Sequence, residues 1–123
     1  MILIADDNQL MRRMIRTMVE DLDPQIIECA EGGEALSLFE SHRPDWVLMD
    51  VSMRPIDGLT ATRRIIGQDP SARVVIVTEH DDAATRTKAF EAGACAFVAK
   101  DELTPLRTLI GNDPVRRLRT GEG

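Results

Sequence analysis

Aromatic residues are scarce in this sequence, which has no tyrosine, one tryptophan and three phenylalanines. The core must therefore be aliphatic.

Cysteines are equally few: Cys29 and Cys95 lack CxxC spacing, and both lie in apolar runs. We expect both to be small buried core residues in a reducing compartment rather than redox or metal-binding groups.

Long hydrophobic runs and an excess of basic residues are also missing. No stretch approaches the length of a membrane span, and the first apolar run is far too short for a signal peptide. We therefore expect a cytoplasmic protein without membrane contact.

The net charge of −6 argues against a nucleic-acid-binding surface over the whole domain. Solubility explains this acidity as well as a cluster of carboxylates at a metal site does.

The 123 residues correspond to one domain. Its sequence contains five units, each a short apolar run followed by a longer amphipathic segment. The runs do not alternate with polar residues, which is typical of parallel strands buried on both faces. They are Met1–Ala5, Ile26–Ala30, Trp46–Met49, Val74–Val77 and Ala96–Val98. Alternating units of this kind predict an α/β fold, a doubly wound parallel sheet of five strands with helices on both faces.

In five segments the apolar residues are spaced as in a helix, and residues that typically begin or end helices flank them. They are Gln9–Leu22, Gly33–Ser41, Leu59–Ile66, Ala83–Ala92 and Pro105–Ile110. Asn8 is expected to cap the first helix and Gly93 to end the fourth. In the first helix, an apolar stripe is expected along the four-residue repeat of Leu10, Met14, Met18 and Leu22, widened by Met11, Ile15 and Val19. The sequence GNDP after Ile110 predicts a domain over 1–110 and a short linker or tail over 111–123.

Polar residues follow four of the five predicted strands, where ligands bind in such sheets. They are Asp6, Asp7, Asp50, Thr78 and Lys100. Each alone could be a cap, turn or solvated loop residue. Together they indicate a site, because clustered carboxylates raise each other's pKa unless a cation lies among them. Hard oxygen donors without histidine or cysteine select Mg²⁺, and a carboxylate can attack phosphorus to form an aspartyl phosphate.

Five motifs carry a resemblance to a known family over essentially Met1 to Ile110. They are ILIADDN, WVLMDVSM, IDG seven residues past Asp50, VVIVT, and AGACAFVAK ending at Lys100. In this order and spacing they resemble the receiver domain of bacterial two-component response regulators. The resemblance implies a flavodoxin-like fold with strand order 2-1-3-4-5 and a phosphoacceptor signalling switch in a phosphorelay.

The resemblance implies a metal site and an acceptor. Asp50 resembles the phosphorylated aspartate, and Asp7 resembles the direct Mg²⁺ ligand. Asp6 resembles the acid that orients a metal-bound water. Ser52 matches the position whose backbone carbonyl completes the metal shell.

The resemblance also implies a switch. Thr78 resembles the hydroxyl that moves toward the phosphoryl group, and Lys100 resembles the residue that pairs with that group. Phe97 matches the aromatic residue that rotates inward when Thr78 moves. The surface of the fourth helix, fifth strand and fifth helix would then change and control an output partner.

Several residues depart from the family pattern. Arg54 delays the usual proline by one position, to Pro55, so a local change of loop shape is expected. Glu79 stands where a small residue is usual, and we expect it to turn toward solvent. Together with Ser52 and His80 it is predicted to tune the lifetime of the phosphoryl group.

Asp101 replaces the common proline after Lys100, so a cis peptide is not expected there. The Lys100-Asp101 pair resembles receivers attached to LuxR-type output domains.

A sensor histidine kinase is the expected phosphodonor, with an output domain or partner protein and a homodimer as further possible partners. We do not expect an enzyme acting on other molecules, only self-catalysed phosphoryl transfer and dephosphorylation. The main alternative is a receiver-like interaction or dimerisation module that works without phosphorylation. A phosphatase with an aspartate nucleophile is weaker, because its Asp-x-Asp motif is missing, and no GxGxxG supports a nucleotide-binding domain.

Overall fold

The computed structural model describes residues 1–113 and contains one open sheet of five parallel strands in the order β2-β1-β3-β4-β5. The strands are β1 (Ile2–Ala5), β2 (Ile26–Cys29), β3 (Trp46–Met49), β4 (Val74–Thr78) and β5 (Ala96–Ala99). The helices are α1 (Gln9–Val19), α2 (Gly32–His42), α3 (Gly58–Gln68), α4 (Ala83–Glu91) and α5 (Pro105–Gly111). The predicted fold class and strand order are confirmed.

Both faces of the sheet are covered, because alternate residues of each strand enter different cores. Ile2 and Ile4 of β1 pack with α1 and α5, whereas Leu3 and Ala5 pack with α2, α3 and α4. All four side chains are at most 1% exposed. Continuous apolar strands therefore arise from two-sided burial, as parallel sheets require.

The strand order places the chain reversal between β1 and β3. Strand β1 pairs with β2 on one side and with β3 on the other. The backbone N–H of Asp50 donates to the Ala5 carbonyl over 2.8 Å, so the loops after β1 and β3 leave the sheet side by side. A ligand crevice is expected at this point.

The predicted helix ends are confirmed at Asn8 and Gly93. The Asn8 side chain accepts a hydrogen bond from the Met11 backbone N–H over 3.0 Å. Gly93 has φ of 104° and follows α4, a conformation that favours glycine. The only cis peptide among residues 1–113 joins Arg54 to Pro55, so the bond after Lys100 is trans, as expected.

The apolar stripe predicted for α1 is wrong at its N-terminal half. Leu10 is 65% exposed and Met14 is 48% exposed, while Ile15 and Val19 form the buried face. A row of residues four apart drifts about 40° around the helix at each step, because a turn takes 3.6 residues. The row therefore starts in solvent and reaches the core only near Met18.

Only one of the two cysteines is buried as predicted. Cys29 is 5% exposed, and burial raises the pKa of its thiol to about 12. Cys95 is exposed. It lies just before β5, an edge strand that is only partly covered, so the apolar run around it does not imply burial.

The end of the described chain is packed against the sheet. Helix α5 runs to Gly111, and Asp113 is only 3% exposed. Residues 114–123, most of the predicted tail, lie outside the described residues, and a boundary after Ile110 stays a prediction. Within 1–113, no helix combines the length and apolar character needed to cross a membrane.

Candidate functional site

Asp50 stands at the centre of the candidate site, directly after β3. Its backbone continues the sheet through the hydrogen bond to Ala5, which fixes the direction of its side chain. The residue is 3% exposed. Strand β3 therefore holds a carboxylate almost out of solvent at the carboxyl edge of the sheet.

Lys100 joins two of the predicted carboxylates. Its Nζ lies 2.8 Å from Asp6 Oδ2 and 3.1 Å from Asp50 Oδ1. The lysine side chain is 8% exposed and Asp6 is completely buried. The ends of β1, β3 and β5 thus meet through one buried ammonium group.

Asp7 completes a cluster of acids that fits a divalent cation. Oxygen atoms of Asp6, Asp7 and Asp50 all lie within 4.8 Å of one another. Asp7 is exposed, whereas Asp6 Oδ2 is buried and has no well-aligned hydrogen bond beyond its ionic contact with Lys100. A group of hard carboxylate donors, one of them with a buried oxygen that contacts only an ammonium group, suits an oxygen-preferring cation.

Burial raises the pKa of Asp50, and the negative charge of Asp6 raises it further. Lys100 and the Ser52 backbone N–H oppose this shift without cancelling it. Burial alone would lower the pKa of Lys100, but its contacts with Asp6 and Asp50 outweigh burial and the pKa is raised. The lysine therefore stays charged, and Asp50 is an unusually basic carboxylate.

A polar cavity of about 120 Å³ opens above Asp50. It is large enough for several water molecules, or for a cation and a small anionic group. Its lining residues are Asp7, Asn8, Asp50, Ser52, Glu79, His80 and Lys100. The cavity brings together the predicted acceptor Asp50, the predicted Lys100, and all three predicted tuning residues. Three of the four predicted metal-site residues, all but Asp6, line it.

Thr78 ends β4 and is completely buried. Its Oγ accepts a hydrogen bond from the His80 backbone N–H over 3.1 Å, which shapes the start of the loop before α4. Glu79 and His80 are exposed and line the cavity mouth. Glu79 is therefore at the solvent side, as expected, but still faces any molecule that enters.

Phe97 lies on β5 outside the cavity lining. The ring is half-buried and contacts the guanidinium of Arg86 on α4, with Cζ 4.9 Å from the ring centroid. Arg86 also forms a 2.7 Å ion pair with Asp81. The predicted switch aromatic thus packs beneath a side chain of α4, next to the loop that Thr78 begins.

One residue that shapes the site was assigned no role from the sequence. A Cβ on Gly58 would lie 1.7 Å from the Asp50 carbonyl oxygen, so only glycine lets α3 begin so close to the acceptor. The preceding Asp57 caps α3 by accepting from the Thr60 backbone N–H over 2.8 Å. The Asp57-Gly58 pair was the signal, since this dipeptide is typical of a sharp turn or helix start.

The family model for the response regulator receiver domain matches residues 2–110. The chain therefore belongs to this family: it is the receiver domain of a two-component response regulator, a phosphoacceptor signalling switch.

Its curated relatives include a small chemotaxis protein and longer regulators. The chain is 36% identical over 100 residues to the chemotaxis protein CheY of Listeria monocytogenes, covering 80% of this chain and 84% of that protein. It is 38% identical over 101 residues to the response regulator GacA of Pseudomonas aeruginosa, covering 80% of this chain but 47% of that protein.

Solved structures share the fold. A LuxR-family two-component response regulator from Aurantimonas is 31% identical with a TM-score of 0.78, covering 98% of this chain and 94% of that one. The CheX-CheY-BeF3-Mg complex of Borrelia burgdorferi gives 25% identity and a TM-score of 0.79, covering 89% and 84%. Receiver domains interact with histidine kinases and with output or partner proteins.

Proposed function

We propose that Asp50 accepts a phosphoryl group from a phosphohistidine of a sensor kinase, at a Mg²⁺ site built by the neighbouring acids. The observation that carries the proposal is the position of its carboxylate. It is buried, 3.1 Å from the Lys100 ammonium, and opens onto the polar cavity. A donor can therefore reach the carboxylate only from the side where the charged groups converge.

The proposed step is a displacement at phosphorus. An Asp50 carboxylate oxygen forms the new P–O bond while the P–N bond to the donor imidazole breaks. Without the ion, burial and the Asp6 charge raise the pKa of Asp50. A bound cation would oppose this rise and favour the ionised carboxylate that attacks phosphorus. The buried Lys100 ammonium can donate to an oxygen of the transferred group, where negative charge increases.

Asp7, Asp50 and the Ser52 backbone carbonyl are the residues proposed to hold Mg²⁺, with Asp6 orienting a metal-bound water. The cluster of carboxylate oxygens from Asp6, Asp7 and Asp50, all within 4.8 Å of one another, supports this assignment. When bound, the ion would neutralise charge on the transferred group and on the carboxylates. The Lys100 ammonium lies 2.8 Å from Asp6 Oδ2, so Asp6 is held in place beside the proposed ion.

Thr78 and Phe97 are proposed to carry the signal. The Thr78 hydroxyl can turn from the His80 amide toward a phosphoryl group on Asp50, and the loop before α4 would follow. Phe97, next to that loop under Arg86, would then repack. Phosphorylation would shift a population of states already present and change the surface of α4, β5 and α5.

Glu79, His80 and Ser52 are proposed to tune the lifetime of the phosphoryl group, because all three line the mouth of the cavity. Water that hydrolyses the acyl phosphate must pass them. We further propose a cytoplasmic protein that acts on no separate substrate and binds no nucleic acid through this segment. A homodimer and a LuxR-type output domain are the proposed contexts for the switch surface.

Intact-mass spectrometry after incubation with acetyl phosphate and Mg²⁺ tests the proposal. The wild type should gain the mass of one phosphoryl group, and chelation of the metal should prevent the gain. Asp50→Asn should abolish it, whereas Asp101→Asn, which removes an exposed carboxylate one residue from Lys100, should not. An unmodified wild type would favour the phosphorylation-independent interaction module.

A further inference from the structure

Arg12 makes an unusual contact with the backbone of the acidic site. It lies in the first turn of α1, and its Nη1 donates to the Asp6 carbonyl oxygen over 2.6 Å. The Arg12 side chain is only 17% exposed. A charged donor at this distance is a strong hydrogen bond, so the arginine fixes a peptide group that lies beyond the end of β1.

Every polar group of Asp6 is engaged. The backbone N–H donates to the Cys29 carbonyl over 3.1 Å, and Oδ1 accepts from the Asn8 N–H over 2.8 Å. Oδ2 meets Lys100, and the carbonyl meets Arg12. Because the Asp6 carbonyl belongs to the peptide that joins Asp6 to Asp7, Arg12 also restricts where the exposed Asp7 carboxylate can point.

Glu28 of β2 orients this arginine. Its Oε1 accepts from Arg12 Nε over 3.1 Å, and its Oε2 accepts from Arg16 Nε over 2.7 Å. Arg16 lies one turn further along α1 and contacts Glu28, with no hydrogen bond to Asp6 among the described residues. The two arginines therefore share one partner, but only Arg12 reaches the site.

We infer that Arg12 is a positioning residue for the divalent cation: it holds the Asp6-Asp7 peptide so that both carboxylates face the ion. This inference rests on the proposed Mg²⁺ site. Partners that orient metal ligands typically contribute tenfold to a hundredfold to metal affinity.

If Arg12 acts only through its charge, its removal should strengthen Mg²⁺ binding; if it acts by positioning the Asp6-Asp7 peptide, its removal should weaken Mg²⁺ binding. Loss of a positive charge near a cation site would by itself tighten cation binding, although Glu28 would keep its contact with Arg16. Loss of a positioning contact would weaken it. Arg16 controls for charge, because its removal takes the same charge from the same glutamate without touching Asp6.

Isothermal titration of the phosphodonor-free protein with MgCl₂ tests the inference. Arg12→Ala should raise the Mg²⁺ dissociation constant about tenfold, while Arg16→Ala should leave it within about twofold of wild type or lower it. Arg12→Lys, which keeps a donor that can reach the carbonyl, should recover most of the loss. Arg12→Met keeps the aliphatic stem and tests the same loss if the alanine variant does not fold.

Equal affinity in wild type and Arg12→Ala, tighter binding in Arg12→Ala, or equal losses in the two arginine variants would overturn the inference. Each of these results requires that wild type binds Mg²⁺. If the wild type shows no binding, the proposed metal site itself fails, and the two failures are thereby distinguished. Paramagnetic broadening by Mn²⁺ should report the same order of affinities in an independent measurement.

Discussion

At the scale of single residues, the site contains more negative than positive charge, and its carboxylates repel one another. The Lys100 ammonium contacts Asp6 and Asp50, and the Asp7 carboxylate lies beside these two acids. Three carboxylates and one ammonium group leave a local charge of about −2 when all are ionised. Two of the acids are almost fully buried. The fold therefore carries an unfavourable charge arrangement that a divalent cation or a phosphoryl-metal pair would relieve.

Asp50→Asn should stabilise the metal-free protein. The pKa of Asp50 is raised in the folded state, so its ionised form lowers stability at neutral pH. We expect the free energy of unfolding to increase by about 1 kcal/mol in the presence of a chelator, measured by urea denaturation.

The pH dependence checks the cause of this stabilisation. The advantage of the asparagine variant should grow as the pH rises through the folded pKa of Asp50. It should vanish below the usual pKa of an aspartate, where both side chains are neutral. The exposed control Asp101→Asn should change little. An asparagine variant less stable than wild type at neutral pH would contradict the electrostatic account.

At the scale of elements, the start of α3 sets the position of the acceptor loop. The Gly58 N–H donates to the Val51 carbonyl over 3.0 Å, and its Cα lies against the Asp50 carbonyl. The loop after β3 is thus closed by a helix terminus that tolerates no side chain. Asp50 is fixed from both ends, by the sheet before it and by α3 after it.

Gly58→Ala should destabilise the fold by about 2 kcal/mol and slow phosphorylation, because the new methyl group displaces the Asp50 backbone. Gly67 is the matched control in the same helix, since nothing lies within 4 Å of a Cβ built there. Gly67→Ala should stabilise by about 0.5–1 kcal/mol through helix propensity. Thermal unfolding of both variants makes the comparison, and similar effects on both would contradict it.

Much of this element-level organisation could be predicted from the sequence. Each strand falls within one residue of its apolar run, because two-sided burial excludes polar residues from β1 and β3 and from all of β4 but its last residue, Thr78. The position of the acidic cluster also followed, since residues after parallel strands share one edge. The buried face of α1 was not predicted correctly, because residues four apart in sequence shift gradually around the helix and do not stay on one face.

Other parts of the site could not be predicted, because they depend on distances between elements that are remote in sequence. The contact of Gly58 with Asp50 depends on how closely α3 approaches the sheet. The contact of Arg12 with Asp6 depends on the orientation that Glu28 gives the arginine. In sequence, Arg12 is simply one of several polar residues on an amphipathic helix.

At the scale of the whole molecule, residues at the amino ends of β3 and β4, on the side of the sheet away from the site, bind the chain that follows α5. Asp113 accepts a 3.0 Å hydrogen bond from Trp46 Nε1 and forms a 2.6 Å ion pair with Arg73. The Arg73 guanidinium lies over the indole ring, 4.6 Å from its centroid. This cluster fixes α5, whose packing contributes to the proposed output surface, to the starts of β3 and β4.

Asp113→Ala should lower the free energy of unfolding by about 2 kcal/mol, since it removes a buried charged acceptor and leaves the indole N–H without a partner and Arg73 without its ion pair. The single tryptophan reports the change directly: Trp46 fluorescence should shift to the red as its ring becomes more solvated. Mg²⁺ affinity should stay unchanged, because the cluster is far from the acidic cavity. Unchanged stability and fluorescence would show that the anchor is dispensable.

The loops after β1, β3, β4 and β5 line one cavity, which we propose holds both a phosphoryl group on Asp50 and a Mg²⁺ ion. A crystal structure of the protein with Mg²⁺ and beryllofluoride, a phosphoryl mimic, tests it most directly. We predict beryllium bonded to an Asp50 carboxylate oxygen, Mg²⁺ in contact with Asp7 and Asp50, and the Lys100 ammonium against a fluoride. A bare Asp50 carboxylate, or a Mg²⁺ ion bound away from these acids, would contradict the account.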